Sequence, residues 1–279
     1  MPRAIRPSRV VLAAPALAIL LITAVTAQPA AAAVELLSHR AVYQLSLAQG
    51  GRASDSVSDV RGGLVMEWRD SCAGAISNQR LGFVASFGDG PGFTYDVRFS
   101  SWEAPDHRQL RFNVRTFDGG ILFDEYRGEA SLDEVGGKVA FAEPAGETLT
   151  LPRGTLFPTE HMQKLIEGAK AGEVVVSHDV FDGSGMEGLS RITAVIGRPI
   201  TVEADAADDA AADRGDDERR WPISLAYHDV TMADDVPTFE LTFQLSEGGV
   251  LYDLVLDYGD FALAADLEQL EIFEAPHCP

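Results

Sequence analysis

Residues 109–117 read "QLRFNVRTF". Leu110, Phe112 and Val114 fall on one parity; Arg111, Asn113 and Arg115 fall on the other. A strand turns successive side chains to opposite faces, so this stretch predicts a strand with one buried and one wet face. Buried parallel sheets lack such alternation, whereas antiparallel sheets with a solvated face show it. The pattern recurs in "FTYDVRFS" (93–100), where Phe93, Tyr95, Val97 and Phe99 share a face. It recurs in "FELTFQL" (239–245), where Phe239, Leu241, Phe243 and Leu245 alternate with Glu240, Thr242 and Gln244.

Turn signals punctuate these runs: "FGDGPG" at 87–92, "DGG" at 118–120, "VGG" at 135–137 and "EGG" at 247–249. Glycine after polar residues between alternating runs marks hairpin connections. The runs predict about 14 strands, near 37–47, 58–69, 76–87, 93–103, 107–117, 120–133, 138–142, 147–151, 174–182, 189–203, 221–230, 238–246, 250–258 and 263–273.

One segment departs from this period. "FPTEHMQKLIEGAKAGE" (157–173) opens with Pro158 and Thr159, carries Glu160 in its first turn and meets a stop at Gly172. Met162, Leu165, Ile166 and Ala169 recur at helical spacing, so a helix is predicted whose apolar stripe covers an opening or flank of the sheet. "EADAADDAAADRGDDERR" (203–220) holds no large apolar side chain and reads as a disordered acidic insertion in a hairpin. It does not match the spacing of a calcium loop. An amphipathic sheet of this size must hide its inner face. The fold class expected is all-β with one main helix, a single antiparallel sheet curled into a spiral or open barrel. Arg111, Arg115, Glu240 and Gln244 on the wet faces speak against a transmembrane barrel.

The first residues settle the compartment expected. Arg3, Arg6 and Arg9 precede the apolar run "VVLAAPALAILLITAV" (10–25), and small residues follow, with cleavage sites near Ala27 and Ala33. That is the plan of a secretory signal peptide over 1–33, leaving 34–279 as one domain that does not span the membrane. The whole chain has a net charge of −21, and losing three arginines makes the mature chain more acidic still. Such a surface repels nucleic acid and anionic membrane. A periplasmic protein is expected.

No catalytic pattern emerges. Ser184 in "DGSGMEG" lacks the offsets of G-x-S-x-G, and neither H-E-x-x-H nor a phosphate-binding glycine loop occurs. The adjacent pairs Asp106-His107, His178-Asp179 and His228-Asp229 point to opposite faces if they lie in strands. Trp68, Trp102 and Trp221 read as core residues or as lining of an apolar pocket. No catalytic, cofactor-binding or metal-ligating residue is assigned. Cys72 and Cys278 are the two cysteines of the chain. In an exported protein that count favours a disulfide, while a nucleophilic role for Cys72 would need a free thiol and a nearby base.

Five stretches taken in order resemble the cell-envelope integrity protein EipB family of alphaproteobacterial periplasmic proteins. They are "LLSHRAVYQLSL" (36–47), "GGLVMEWRDSCAG" (62–74), "LPRGTLFPTEHM" (151–162), "VFDGSG" (180–185) and "HCP" (277–279). The resemblance implies a spiral, barrel-like sheet of about fourteen strands, a Cys72–Cys278 disulfide and a role in envelope maintenance under stress, with no enzymatic activity. The bond would fasten the last strand near the end of the second and hold the curl closed. The function expected is a non-catalytic factor that binds an envelope lipid, glycan or protein in or on the curled sheet. An acidic scaffold protein is the alternative, and an envelope hydrolase a more distant one.

Overall fold

Alternation becomes strand almost everywhere in this computed structural model, which describes residues 34–48, 57–88, 90–202, 218–231 and 236–278. The signal peptide read at 1–33 and residues 203–217 of the acidic insertion lie outside the described residues. The last three residues of that insertion, 218–220, are strand, a correction to the boundary at 220.

The first half of the sheet comprises β1 (His39–Leu47), β2 (Asp59–Ser71), β3 (Gly74–Phe87), β4 (Gly90–Glu103), β5 (Gln109–Asp118), β6 (Ile121–Leu132), β7 (Gly137–Glu143) and β8 (Thr148–Leu151). Helix α1 (Pro158–Ala171) follows. The second half comprises β9 (Val175–Phe181), β10 (Leu189–Ile196), β11 (Ile200–Val202), β12 (Glu218–Asp229), β13 (Phe239–Ser246), β14 (Leu251–Asp257) and β15 (Ala262–Ile272). Every ladder between these strands is antiparallel, and together they form one sheet curled nearly closed.

The sheet grows outward from β1 in both directions. On one side β2 to β8 follow in chain order. On the other the order is β15, β14, β13, β12, β10, β9, with β11 also on β12. The first and last strands, β1 and β15, therefore meet in the middle of the sheet. Its free edges, β8 and β9, are neighbours in sequence joined through α1.

The run expected at 189–203 splits into β10 and β11 for a local reason. Pro222 of β12 has no N–H to give the ladder, and the Gly197-Arg198-Pro199 segment bows out opposite it. Only the Gly197 N–H still reaches the Pro222 carbonyl, at 2.7 Å.

Side chains close the seam between the two edges. The Phe112 ring of β5 meets Phe141 of β7 at 5.6 Å and Phe181 of β9 at 5.5 Å, both edge to face. Leu151, Phe157 and Leu189 are buried in the same cluster. One backbone bridge assists: the Leu156 N–H donates to the Asp179 carbonyl at 2.8 Å, and the Phe181 N–H to the Leu156 carbonyl at 3.0 Å. Each ring of this size contributes about 1.5–3 kcal/mol by leaving water.

The outer face is a lattice of cross-strand ion pairs. Arg115 lies opposite Glu125 at 2.9 Å and Arg111 opposite Glu129 at 3.1 Å. Arg191 lies opposite Asp179 at 2.8 Å. Arg80 and Arg98 both bond Asp96. Burial raises the Asp96 carboxyl, and the two guanidinium groups override it and hold it below the usual carboxylate range. Opposite charges at facing positions stabilise a sheet by a few tenths of a kcal/mol, up to about 1 kcal/mol.

Candidate functional site

Helix α1 enters the curl of the sheet. Its stripe buries Leu165, Ile166 and Ala169, as helical spacing predicts, together with His161. Gly172 ends the helix in the left-handed region, φ 78°, and its N–H caps the Ala169 carbonyl. The start is capped differently. Phe157 occupies the N-cap position and offers no side-chain acceptor. The carboxylate of Glu103, at the end of β4, takes the Thr159 N–H at 2.8 Å and the Glu160 N–H at 3.2 Å. An anion at a helix N-terminus satisfies orphan donors and the helix dipole together. His107 closes the arrangement with Nδ1 2.6 Å from Glu103. It lies in the β4–β5 turn at φ 55°, not in the strand expected from 107, and its partner is Glu103, not Asp106. The Glu103 bond raises the His107 pKa, against burial.

The helix leaves a cavity of about 410 Å³ in the lumen of the curl, within the range of small-ligand sites. Its wall is mostly apolar, with Met66, Val97, Phe99, Leu225, Leu241 and Phe243 among the lining side chains. One level of the wall is polar. His39, Trp68, Ser77 and Ser101 are direct neighbours across β1, β2, β3 and β4, and all four face the cavity. The next level down reads Ala41, Met66, Gln79, Phe99 and Val114.

Several polar atoms on this wall carry chemistry. His39 Nδ1 lies 2.7 Å from the Leu37 carbonyl, which a neutral ring satisfies by donating from Nδ1; burial lowers its pKa, opposed by that bond. Trp68 Nε1 and His161 Nε2 are buried without a hydrogen-bond partner. Burial drives the His161 pKa down to about 4, with the neighbouring His178 adding to it. The two rings stand edge to face at 5.8 Å. Asp182 and Tyr227 also face the cavity. Burial raises both, and the Asp182 charge adds to the shift of Tyr227.

Of the three tryptophans, Trp68 lines the cavity, Trp221 is core at 1% exposure, and Trp102 lies outside under Arg111. Ser77, Gln79 and Ser101 were legible in principle. The inward parity of Leu81 and Phe83 runs back to Gln79 and Ser77, and that of Val97 and Phe99 runs on to Ser101. Among the described residues no three metal-ligating side chains converge, and no helix is long and apolar enough to cross a membrane.

Cys72 lies in the β2–β3 turn and Cys278 in the tail after β15, with Cα atoms 5.3 Å apart and sulfurs at bonding distance. The position corrects the expected mechanics. β15 already pairs with β1, and β1 with β2, so the link spans three adjacent strands in the middle of the sheet. The seam lies elsewhere, between β8 and β9. Around the link the Phe273 N–H donates to the Ser38 carbonyl at 2.8 Å, and the Arg69 guanidinium stacks 3.5 Å over the Phe273 ring.

These features define a class: a one-helix, barrel-like antiparallel sheet, nearly closed around an apolar lumen. The chain belongs to the EipB-like family, whose model matches residues 30–274. It is 33% identical over 253 residues to the cell envelope integrity protein EipB of Brucella abortus, covering 89% of this chain and 88% of that one. The structure is similar to the crystal structure of a beta-barrel-like protein from Brucella abortus, with a TM-score of 0.79 and 31% identity over 87% of this chain and all of that one. Membership in this family supports a role in cell-envelope integrity.

Proposed function

We propose that the protein is a non-catalytic periplasmic factor that maintains the cell envelope by holding the apolar chain of an envelope lipid in its lumen. The observation that carries this reading is the apolar cavity of about 410 Å³ inside the sheet. Protein interiors are ordinarily filled to crystal-like density, and a preformed apolar cavity with a few polar groups has the make-up of a small-molecule binding site. The name of the Brucella abortus relative supplies the envelope role. The signal peptide plan and a Cys72–Cys278 disulfide fit an oxidising compartment. The non-catalytic reading rests on how the polar wall is laid out. His39, Trp68, Ser77 and Ser101 stand on four successive strands, and among the described residues no hydrogen bond links any two of them into a nucleophile–base pair. Purification without detergent, followed by lipid extraction and mass spectrometry, should yield a stoichiometric amphiphile; an empty lumen that also ignores added lipid removes the reading.

A second reading has its own observation. Ile121, Leu122 and Phe123 are consecutive and exposed at the β5–β6 hairpin, Ile121 at 76% and Phe123 at 75%. Consecutive exposed apolar residues mark contact surfaces, and this hairpin fits an envelope protein partner.

A further inference from the structure

We propose that the lumen selects an amphiphile with a primary ammonium group, and that Asp182 supplies the counter-charge while the chain lies against Val180, Ile192, Leu225 and Phe243. The proposal rests on the lumen being a binding cavity and adds the chemical class of the ligand's polar end.

Asp182 follows β9 directly and lines the cavity together with Val180, Ser184 and Tyr227. Its Oδ1 accepts the Ser184 N–H at 2.8 Å, a turn that fixes the carboxyl in place. Among the described residues no lysine, arginine or histidine forms an ion pair with it, in contrast to the outward-facing Asp96 and Asp179, which are bonded to arginine. Asp182 is half-buried, and a carboxyl that faces a mostly apolar cavity without a cation favours either a proton or a positive partner. The upward shift of its pKa by burial, opposed by Ser184, is consistent with that missing partner. An ammonium group supplies both the charge and three donors. Tyr227 lines the same cavity and is near enough to feel the Asp182 charge, so its phenol oxygen is a second polar partner for the ammonium group. A carboxylate amphiphile would bring like charges together in a poorly solvated site.

The test compares three ligands of equal chain length, decylamine, decanol and decanoate, by calorimetric titration into the mature protein at pH 7. Salt at about 0.5 M screens the long-range pull of the acidic surface while leaving a buried pair intact. Decylamine should bind roughly tenfold tighter than decanol, and decanoate weaker than both. In Asp182→Asn the amide oxygen still accepts the Ser184 N–H, so the turn is kept and only the charge is lost. Decylamine should then fall to the affinity of decanol, with decanol itself unchanged. Equal binding of amine and alcohol by the wild type overturns the proposal and leaves the lumen as a binding cavity. A preference that survives in Asp182→Asn also overturns it, assigning the selectivity to general surface charge. If none of the three binds, the cavity reading fails and the proposal with it. The wild-type comparison decides the matter even if the variant does not fold.

Discussion

Glu103 is 2% exposed and ends a strand, yet it holds the first turn of a helix that begins over fifty residues later. Truncating it in Glu103→Ala leaves two part-buried amide donors without their acceptor, at an expected cost of about 1–3 kcal/mol in urea denaturation. Glu103→Gln keeps an acceptor and should cost less. Sequence reading finds caps by short-range spacing, and here it fixed on Pro158 and Thr159; a cap supplied from β4 has no local signature. His161 makes a second prediction at this scale. Its folded pKa, about 4, lies below the unfolded value of 6.5. The unfolded chain therefore binds the proton first as pH falls. The stability contribution is complete above about 6.5 and is lost on descent toward 4, amounting to about 3 kcal/mol. Melting from pH 7.5 to 4.5 should show a steeper loss in the wild type than in His161→Met; parallel slopes would contradict the assignment. His107, raised by Glu103, runs the other way: its contribution is complete below about 6.5 and is lost as pH rises through its folded pKa.

Period-two alternation located the strands well, because each buries one face: 109–117 lies inside Gln109–Asp118, and 239–245 inside Phe239–Ser246. The helix was equally legible from Met162, Leu165, Ile166 and Ala169. How the edges meet was not, since Phe112, Phe141 and Phe181 find one another only after the sheet curls. Gly183 shows why. It has φ 78°, and a Cβ there would stand 2.8 Å from Phe112 Cβ. Gly183→Ala should destabilise the protein by about 1–3 kcal/mol and raise hydrogen exchange at the Leu156–Phe181 bridge before the rest of the sheet. The cysteine pair acts on another element. Tying Cys72 to Cys278 restrains the unfolded chain across a separation of 206 residues, worth roughly 5 kcal/mol at most by chain entropy. Cys72→Ser and reduction of the wild type should lower the melting temperature equally. Equal melting with and without reductant would show that no bond forms.

At the scale of the whole molecule, growing the sheet outward from β1 sets the first and last strands, β1 and β15, side by side at its centre and the helix at its seam. The curl then encloses a lumen that α1 only partly fills. Alternation could foretell a hidden inner face but not whether side chains fill it; that depends on Ser77, Gln79 and Ser101 standing where Leu or Phe would have packed. The lumen as a ligand cavity is the central claim, and Ser101→Phe tests it most directly by filling that space with a ring while leaving the outer face untouched. The measurement is lipid extracted per mole of natively purified protein, wild type against variant, alongside the melting temperature. The account predicts near-stoichiometric lipid in the wild type and its loss in Ser101→Phe with the melting temperature retained. Equal lipid in both proteins, or none in either, would contradict it.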